Sequence, residues 1–358
     1  MKKFAYSIFF VLFTLTAGAQ QFSVLGKVID SATGQPMSKA SAFCQNTTFG
    51  TITNNDGLFY MNLPNGGYDL IISYTGYEKQ IRRISNTQSN TDTLVFTMVP
   101  QDNSMAEVAV VASNEVPDGW IKYGSFFTEN FIGTTPNAVD CHIENPETLR
   151  FFYTKKRNRL KVTAREDVVV MNAALGYRVR YQLDSFSYDY NTNISQYTGY
   201  PLFEEIDTTE EVKLQWIKNR AKTYLGSRLH FMRSYYDSLV QEEGFKVERM
   251  TGGAKSTKGT TIDNLYDSAF YYADSTGVEI DWQGRYRISY RNVLPDKKFL
   301  QEFKLPASTN LQVTLLDVSN GFVIEQNGYF YEQYEVINSG YWAWKKLAEL
   351  LPYNYEYE

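Results

Sequence analysis

Two histidines, two cysteines and forty carboxylates are the residues from which this 358-residue chain could build chemistry. His142 and His230 stand far apart, and neither is part of an H-x-x-E pair. His142-Ile143-Glu144 places the acid two positions on, which is not the spacing of a zinc site with an open coordination position for water. No metal and no cofactor is expected, and metallocarboxypeptidase chemistry is rejected. Thr251-Gly252-Gly253-Ala254-Lys255-Ser256-Thr257-Lys258-Gly259 lacks the G-x-x-x-x-G-K-[ST] spacing that aims backbone N–H groups at one phosphate, and reads as a loop. Asn54 to Gly57 lacks the acidic series and distal Glu of a calcium loop and reads as a hairpin turn. No catalytic, cofactor-binding or metal residue is assigned, and the binding residues are left open. A carboxylate pair needs only two acids at ~5–10 Å, which sequence spacing does not exclude.

The elements that would position such groups are mainly β, in an α+β arrangement. Short β-type runs fill 20–100: Val24 to Ile29, Ala40 to Cys44, Gly50 to Thr53, Leu58 to Leu63, Tyr68 to Tyr74 and Leu94 to Val99. Turn clusters separate them every 8–12 residues, the pattern of a small sandwich. Residues 101–118 form a polar linker around the apolar stretch Met105 to Ala112. In 119–358, Tyr177, Val179, Tyr181 and Leu183 alternate with polar residues, and the apolar phase flips at Phe186, Tyr188 and Tyr190. A bulge is expected near Asp184–Ser185. Ile280 to Tyr290 reads as one strand of the same type. Leu311 to Val318 and Phe322 to Gln326 flank Ser319-Asn320-Gly321 as a hairpin. The one helical region spans 208–243. Thr208 and Glu211 form its capping box, Gly226-Ser227 divides it, and Gly244 ends it. Leu225, Leu229, Met232, Tyr236 and Leu239 make its apolar face.

Ahead of these elements, Lys2-Lys3, the apolar run Phe4 to Leu15 and Ala17-Gly18-Ala19 have the three parts of a secretory signal peptide, 1–19, cleaved after Ala19. The run is too short to span a bilayer. With no cysteine before Cys44, no lipid anchor is expected, and the mature chain from Gln20 contains no transmembrane helix. Cys44 and Cys141 are expected as buried free thiols; a bridge would have to staple the two domains together.

Gly26-x-Val28-x-Asp30-x-x-Thr33-Gly34-x-Pro36, Ala40, Gly50-Thr51-x-Thr53-x-x-Asp56-Gly57-x-Phe59, Leu63-Pro64-x-Gly66 and Gly76-Tyr77 resemble, in order and spacing, the carboxypeptidase regulatory-like domain. The resemblance implies a seven-strand transthyretin-like β-sandwich, an accessory module of Bacteroidota envelope proteins. Met105 to Ala112 is similar to the L-x-E-V-V-V element that follows this module in TonB-dependent receptors, but the remaining chain does not read as barrel strands. Ala173-Leu175-Gly176-Tyr177, Tyr200-Pro201-Leu202-Phe203-Glu204-Glu205, Gly226-Ser227-Arg228-Leu229-His230-Phe231 and Ser339-Gly340-Tyr341-Trp342-Ala343-Trp344 resemble the remainder of exported Bacteroidota proteins carrying it. That part of the resemblance implies no activity.

A net charge of −5 argues against nucleic acid as a partner. Lys218, Arg220, Lys222, Arg228 and Arg233 read as a solvated helix face, and the run Lys155 to Arg159 as turn charges. Aromatic residues make up 16%, a large supply of stiff, amphipathic contact surface. The expectation is an exported, non-enzymatic envelope protein, periplasmic or peripherally attached to the outer membrane, acting as a binding or assembly module. Its expected partner is another envelope protein or a glycan. The alternative is a carboxylate-dependent glycan-processing hydrolase or transferase.

Overall fold

The computed structural model describes residues 21–86, 93–101, 114–252, 258–274, 277–331 and 333–357. The signal peptide, most of the linker and the centre of the 251–259 loop lie outside the described residues. Among the described residues no helix is long and apolar enough to cross a membrane.

Seven strands make the N-terminal sandwich: β1 (Gln21–Asp30), β2 (Ser41–Cys44), β3 (Gly50–Ile52), β4 (Leu58–Pro64), β5 (Gly67–Ser73), β6 (Gln80–Ser85) and β7 (Leu94–Met98). One sheet has the order β4-β1-β7, with β1 antiparallel to β4 and parallel to β7. The other is antiparallel in the order β3-β2-β5-β6. Period-two alternation turns Val24, Val28, Phe59, Met61 and Leu63 inward against Leu70, Ile72 and Ile84. Gly26 lacks a side chain where the Phe59 ring fills the space a Cβ would need. The Asn54–Gly57 turn closes no hairpin: β3 and β4 belong to different sheets, so the turn carries the chain from one layer to the other. Asn54 Oδ1 holds it by accepting from the N–H groups of Asp56 and Leu58. Strand β6 has no sequence signature, because Ile81, Arg82 and Arg83 do not alternate; pairing with β5 recruits it.

The rest of the chain holds two further large cores and a small one of Phe299, Leu300, Tyr341 and Trp344. Helix α1 (Gly119–Phe131) packs on a six-stranded antiparallel sheet. Its strands are β8 (Cys141–Ile143), β9 (Leu149–Thr154), β10 (Arg159–Ala164), β11 (Val168–Asn172), β12 (Tyr177–Asp189) and β13 (Ile194–Glu205). β12 is the spine. β13 runs along one edge of it, while β11 and β10 share the other. The expected bulge falls where the β12–β13 register shifts, between Leu183 and Ser185. Helix α1 contradicts the expectation of a single helical region. No side chain caps its N-terminus and Asp118 there is left-handed, so the usual start signal is missing.

Helices α2 (Glu210–Tyr224) and α3 (Arg228–Tyr236) follow. The capping box does not form: Thr209, not Thr208, is the N-cap, and its side chain caps nothing. Gly226, at φ 74°, does divide the helices, and Ser227 caps α3 by accepting from the His230 N–H. The helix ends at Tyr236, well before Gly244, which sits in the turn entering the next sheet. Its buried face is His230, Phe231, Met232, Ser234 and Tyr235, whereas Leu239 is exposed. Of the expected face, Leu225, Leu229, Met232 and Tyr236 do pack against the cores, and the buried surface is wider because α3 is covered on two sides.

The remaining strands are β14 (Phe245–Met250), β15 (Gly259–Thr261), β16 (Tyr271–Ala273), β17 (Val278–Ile280), β18 (Gly284–Tyr290), β19 (Gln312–Val318), β20 (Phe322–Ile324) and β21 (Val336–Gly340). Two short helices accompany them, α4 (Lys297–Glu302) and α5 (Tyr341–Trp344). One sheet has the order β15-β14-β18-β19-β21, the other β16-β17-β20. Two sequence expectations fail here for one reason. The 280–290 run splits into β17 and β18, and the Ser319–Gly321 turn separates β19 from β20; in each case the flanking strands enter different sheets. Trp282 is buried between the two sheets and stacks on Tyr286 at 4.3 Å.

Candidate functional site

Neither histidine and neither cysteine is brought into a reactive cluster among the described residues. His142 is exposed on β8, and Glu144 accepts from Arg178 at 2.8 Å. His230 is buried, and both ring nitrogens are occupied. Nδ1 accepts from the Gly226 N–H at 3.1 Å, so Nε2 carries the proton and donates to Glu243 Oε2 at 3.1 Å. Burial holds this imidazole below its ordinary value, with Glu243 opposing. No ring nitrogen is left to face a substrate, and the histidine ties the α2–α3 turn to the entry of β14. Cys44 and Cys141 are free thiols. Burial raises both, Cys141 to about 12, which keeps them unreactive. Among the described residues no group of three His, Cys, Asp or Glu side chains could hold a metal.

The cationic helix residues are largely structural. Arg220 donates to Leu175 O at 2.8 Å and Glu205 at 2.9 Å, with its guanidinium 4.0 Å from the Tyr177 ring centre. Arg233 donates to three carbonyls: Asn327 at 3.1 Å, Tyr355 at 2.8 Å and Tyr353 at 2.9 Å. Lys155–Arg157 form a tight turn between β9 and β10, as expected. Around the loop at 251–259, the Thr251 N–H bonds Lys258 O where β14 turns back to β15.

One large concave feature lies where the sandwich docks. The loop after β2 pairs with the free edge of β13: the Asn46 N–H donates to Pro201 O at 2.7 Å and the Phe203 N–H to Thr47 O at 2.9 Å. An unpaired strand edge is thereby covered within the chain. The C-terminal segment crosses the same loop, its Tyr353 N–H donating to Asn46 O at 2.7 Å. Phe43, Ile71 and Leu202 form a small shared core. Lys79 pairs with Asp184, and Gln182 Nε2 donates to Ser73 Oγ at 2.8 Å. Farther along, Arg83 lies 4.6 Å from the Tyr329 ring centre and also against Tyr331, while Tyr329 Oη donates to Asp69 at 2.7 Å.

Between these contacts a cavity of about 990 Å³ opens among the sandwich, the six-stranded sheet and α3. Its walls carry tyrosines, including Tyr197, Tyr200 and Tyr353, with Ser185 and Thr198 hydroxyls on one side and Leu229 and Trp342 on another. Among the described residues two carboxylates line it, and both are held. Asp69 accepts from Tyr329 and faces Arg83 at 3.7 Å; Glu349 accepts from Thr223 Oγ1 at 3.3 Å and lies 4.0 Å from Lys345. Burial raises the Tyr197 phenol to about 12 and lowers the Lys345 and Lys346 ammonium groups. The arrangement can stack and hydrogen-bond a polar ligand; no acid and base stand ready across it.

The sandwich topology and its turn residues agree with comparison to protein families, in which residues 24–110 match one family. They form a CarboxypepD_reg-like domain. Comparison with curated proteins finds no match. Among solved structures, the chain is similar to the Bacillus anthracis TIE protein at 11% identity, over 53% of this chain and 32% of that one, with a TM-score of 0.19. It is also similar to a 9R-lipoxygenase from Cyanothece PCC8801 at 9% identity, over 61% and 48%, with a TM-score of 0.15. The chain thus spans about a third of the first and about half of the second. Likeness at that level carries no argument about fold or function. The cavity walls come partly from the CarboxypepD_reg-like domain, at Gln45, Asn46, Asp69 and Ile81. Sequence reasoning missed this site because none of these residues is unusual alone. Three segments quoted in the resemblance reach it: Tyr200–Pro201, Ser227 to Leu229, and Trp342–Ala343.

Proposed function

We propose that this chain is an exported envelope binding protein without catalytic activity, whose ligand site is the cavity at the junction of the CarboxypepD_reg-like domain with the following region. The observation that carries the reading is the cavity itself: large, concave, walled by aromatic rings, hydroxyls and amides, with both its carboxylates engaged. Its volume is at the upper end of the ~300–1,000 Å³ of small-molecule sites, which suits a short glycan better than the flat patch of a protein partner. The hydrolase or transferase alternative needs two free acids ~5–10 Å apart, and among the described residues the cavity offers none.

Cell fractionation tests export, with the periplasm or the outer-membrane surface as the expected location and the cytoplasm as the contrary result. Binding is tested by calorimetric titration of oligosaccharides released from the cell envelope. Ala343 lines the cavity and is exposed, so Ala343→Trp narrows the site without entering a core. Wild type is expected to bind and the variant to lose binding at unchanged melting temperature. Turnover of a bound glycan by the wild type would replace this reading with the enzymatic one.

A further inference from the structure

Three cations line the cavity: Arg228, Lys345 and Lys346. Two are occupied, since Lys346 Nζ donates to Asn130 O at 3.0 Å and Lys345 Nζ to Thr223 O at 3.3 Å. Arg228 is different. Its guanidinium lies 5.2 Å from the Phe330 ring centre, and it makes no hydrogen bond or ion pair with any described residue. Neither carboxylate of the cavity turns to it. Asp69 serves Tyr329 and Arg83, and Glu349 serves Thr223 and Lys345.

Arg228 is also half-buried, so water hydrates it incompletely. A cation in that state gains more from an anion than an exposed one does. Its charge reaches the cavity walls: it counteracts the burial that raises the Tyr197 and Tyr353 phenols. The guanidinium fork matches the two oxygens of a carboxylate, sulfate or phosphate. Tyr197, Tyr200 and Tyr353 line the same cavity, and stiff, amphipathic rings of this type suit contact with a sugar.

We propose that the ligand of the cavity is an acidic carbohydrate whose carboxylate, sulfate or phosphate group is held by Arg228. This rests on the reading of the cavity as a ligand site. The test titrates the mature full-length protein with matched pairs: trigalacturonate against its methyl ester, N-acetylglucosamine 6-sulfate against N-acetylglucosamine, and glucose 6-phosphate against glucose. At least one acidic member is expected to bind ten-fold or more tightly than its neutral partner, and the pair that responds identifies the anionic group. Arg228→Gln should remove that preference, and Arg228→Lys should retain part of it. Should Arg228→Gln fail to fold, the wild-type pairs decide alone. Equal binding of acidic and neutral members, lost in Ala343→Trp, would overturn the acidic ligand while leaving the binding site standing. No binding by any member of any pair would overturn the carbohydrate reading of the cavity as well.

Discussion

In the sandwich, β2 pairs with its neighbour β3 and β5 with its neighbour β6, and the side chains that meet are mostly aliphatic: Val24, Leu63, Leu70 and Ile72. From residue 114 onward the cores are built of rings. Phe127 packs on Phe186 at 4.9 Å, Phe231 on Trp342 at 5.5 Å, and Tyr235 on Trp282 at 5.5 Å. Those rings are closed by residues distant in sequence. Trp342 Nε1 donates to Gly226 O at 2.7 Å, the Ala348 N–H to Ile132 O at 3.0 Å, and Arg233 gathers the C-terminal segment. The sandwich combines two neighbour pairings with the longer-range pairings of β1 to β4 and β7 and of β2 to β5, all within 21–98. The second region becomes complete only when its C-terminal segment returns, and that same segment then presses on the sandwich loop. Fastening the two parts and shaping the cavity are therefore one event.

Trp342→Ala should mark the contrast most sharply. It removes a buried indole and orphans the Gly226 carbonyl, for an expected loss of about 3–5 kcal/mol in chemical denaturation. Hydrogen exchange should rise through β14, β18 and β19 while β1, β4 and β5 keep their protection. Equal loss in both parts would show one cooperative unit instead.

Arg233→Ala leaves three carbonyls without their donor, and a loss of about 3 kcal/mol is expected. Its signature is early proteolysis within 350–357, and an unchanged cleavage pattern would count against the C-terminal segment as the clasp. At the seam, Arg83→Ala gives up the stack on Tyr329 and Tyr331, worth about 1–2 kcal/mol. Among the described residues Nε and Nη2 have no acceptor, and Nη1 faces Asp69 only at 3.7 Å, so the rings carry most of the contact. Exchange should increase at 325–331 with the sandwich unaffected.

A smaller effect is expected from pH. His230 is depressed in the folded chain relative to an unfolded value near 6.5. Its contribution is therefore complete above that value and is lost as pH falls through the folded value. Protonation of Nδ1 would also break the bond from Gly226. Glu325, which burial raises, acts in the opposite sense over the acid range, so the comparison must be with a variant. The melting temperature of wild type should fall more between pH 7 and pH 5 than that of His230→Gln; parallel slopes would remove His230 from the account. Smallest of all, Arg178→Ala breaks an exposed pair with Glu144 and should cost about 0.5 kcal/mol or less.

How much of this was legible depended on how local the cause was. The β12 bulge could be read because a phase flip at Asp184–Ser185 is written in consecutive side chains. Six sandwich strands were legible for the same reason, and β6 was not, since only its partner makes it a strand. Where a turn such as Asn54–Gly57 or Ser319–Gly321 sends the chain to another sheet, its residues are those of a hairpin turn. Local turn chemistry is the same in both cases, and the sheet assignment is a long-range choice. The cavity was the least legible, because its walls come from segments whose contacts form only on docking.

The amino-acid sequence alone determined the sandwich, its turns, the alternating strands of the second region and the lack of any metal-ligand or phosphate-loop spacing. These follow from periodicity and from residue types that act over a few positions. Tertiary structure decided which strands share a sheet, that both nitrogens of His230 are engaged, and that Arg228 has no hydrogen-bond or ion-pair partner among the described residues. Burial and pairing depend on what approaches from elsewhere in the chain, and one-dimensional spacing does not contain that.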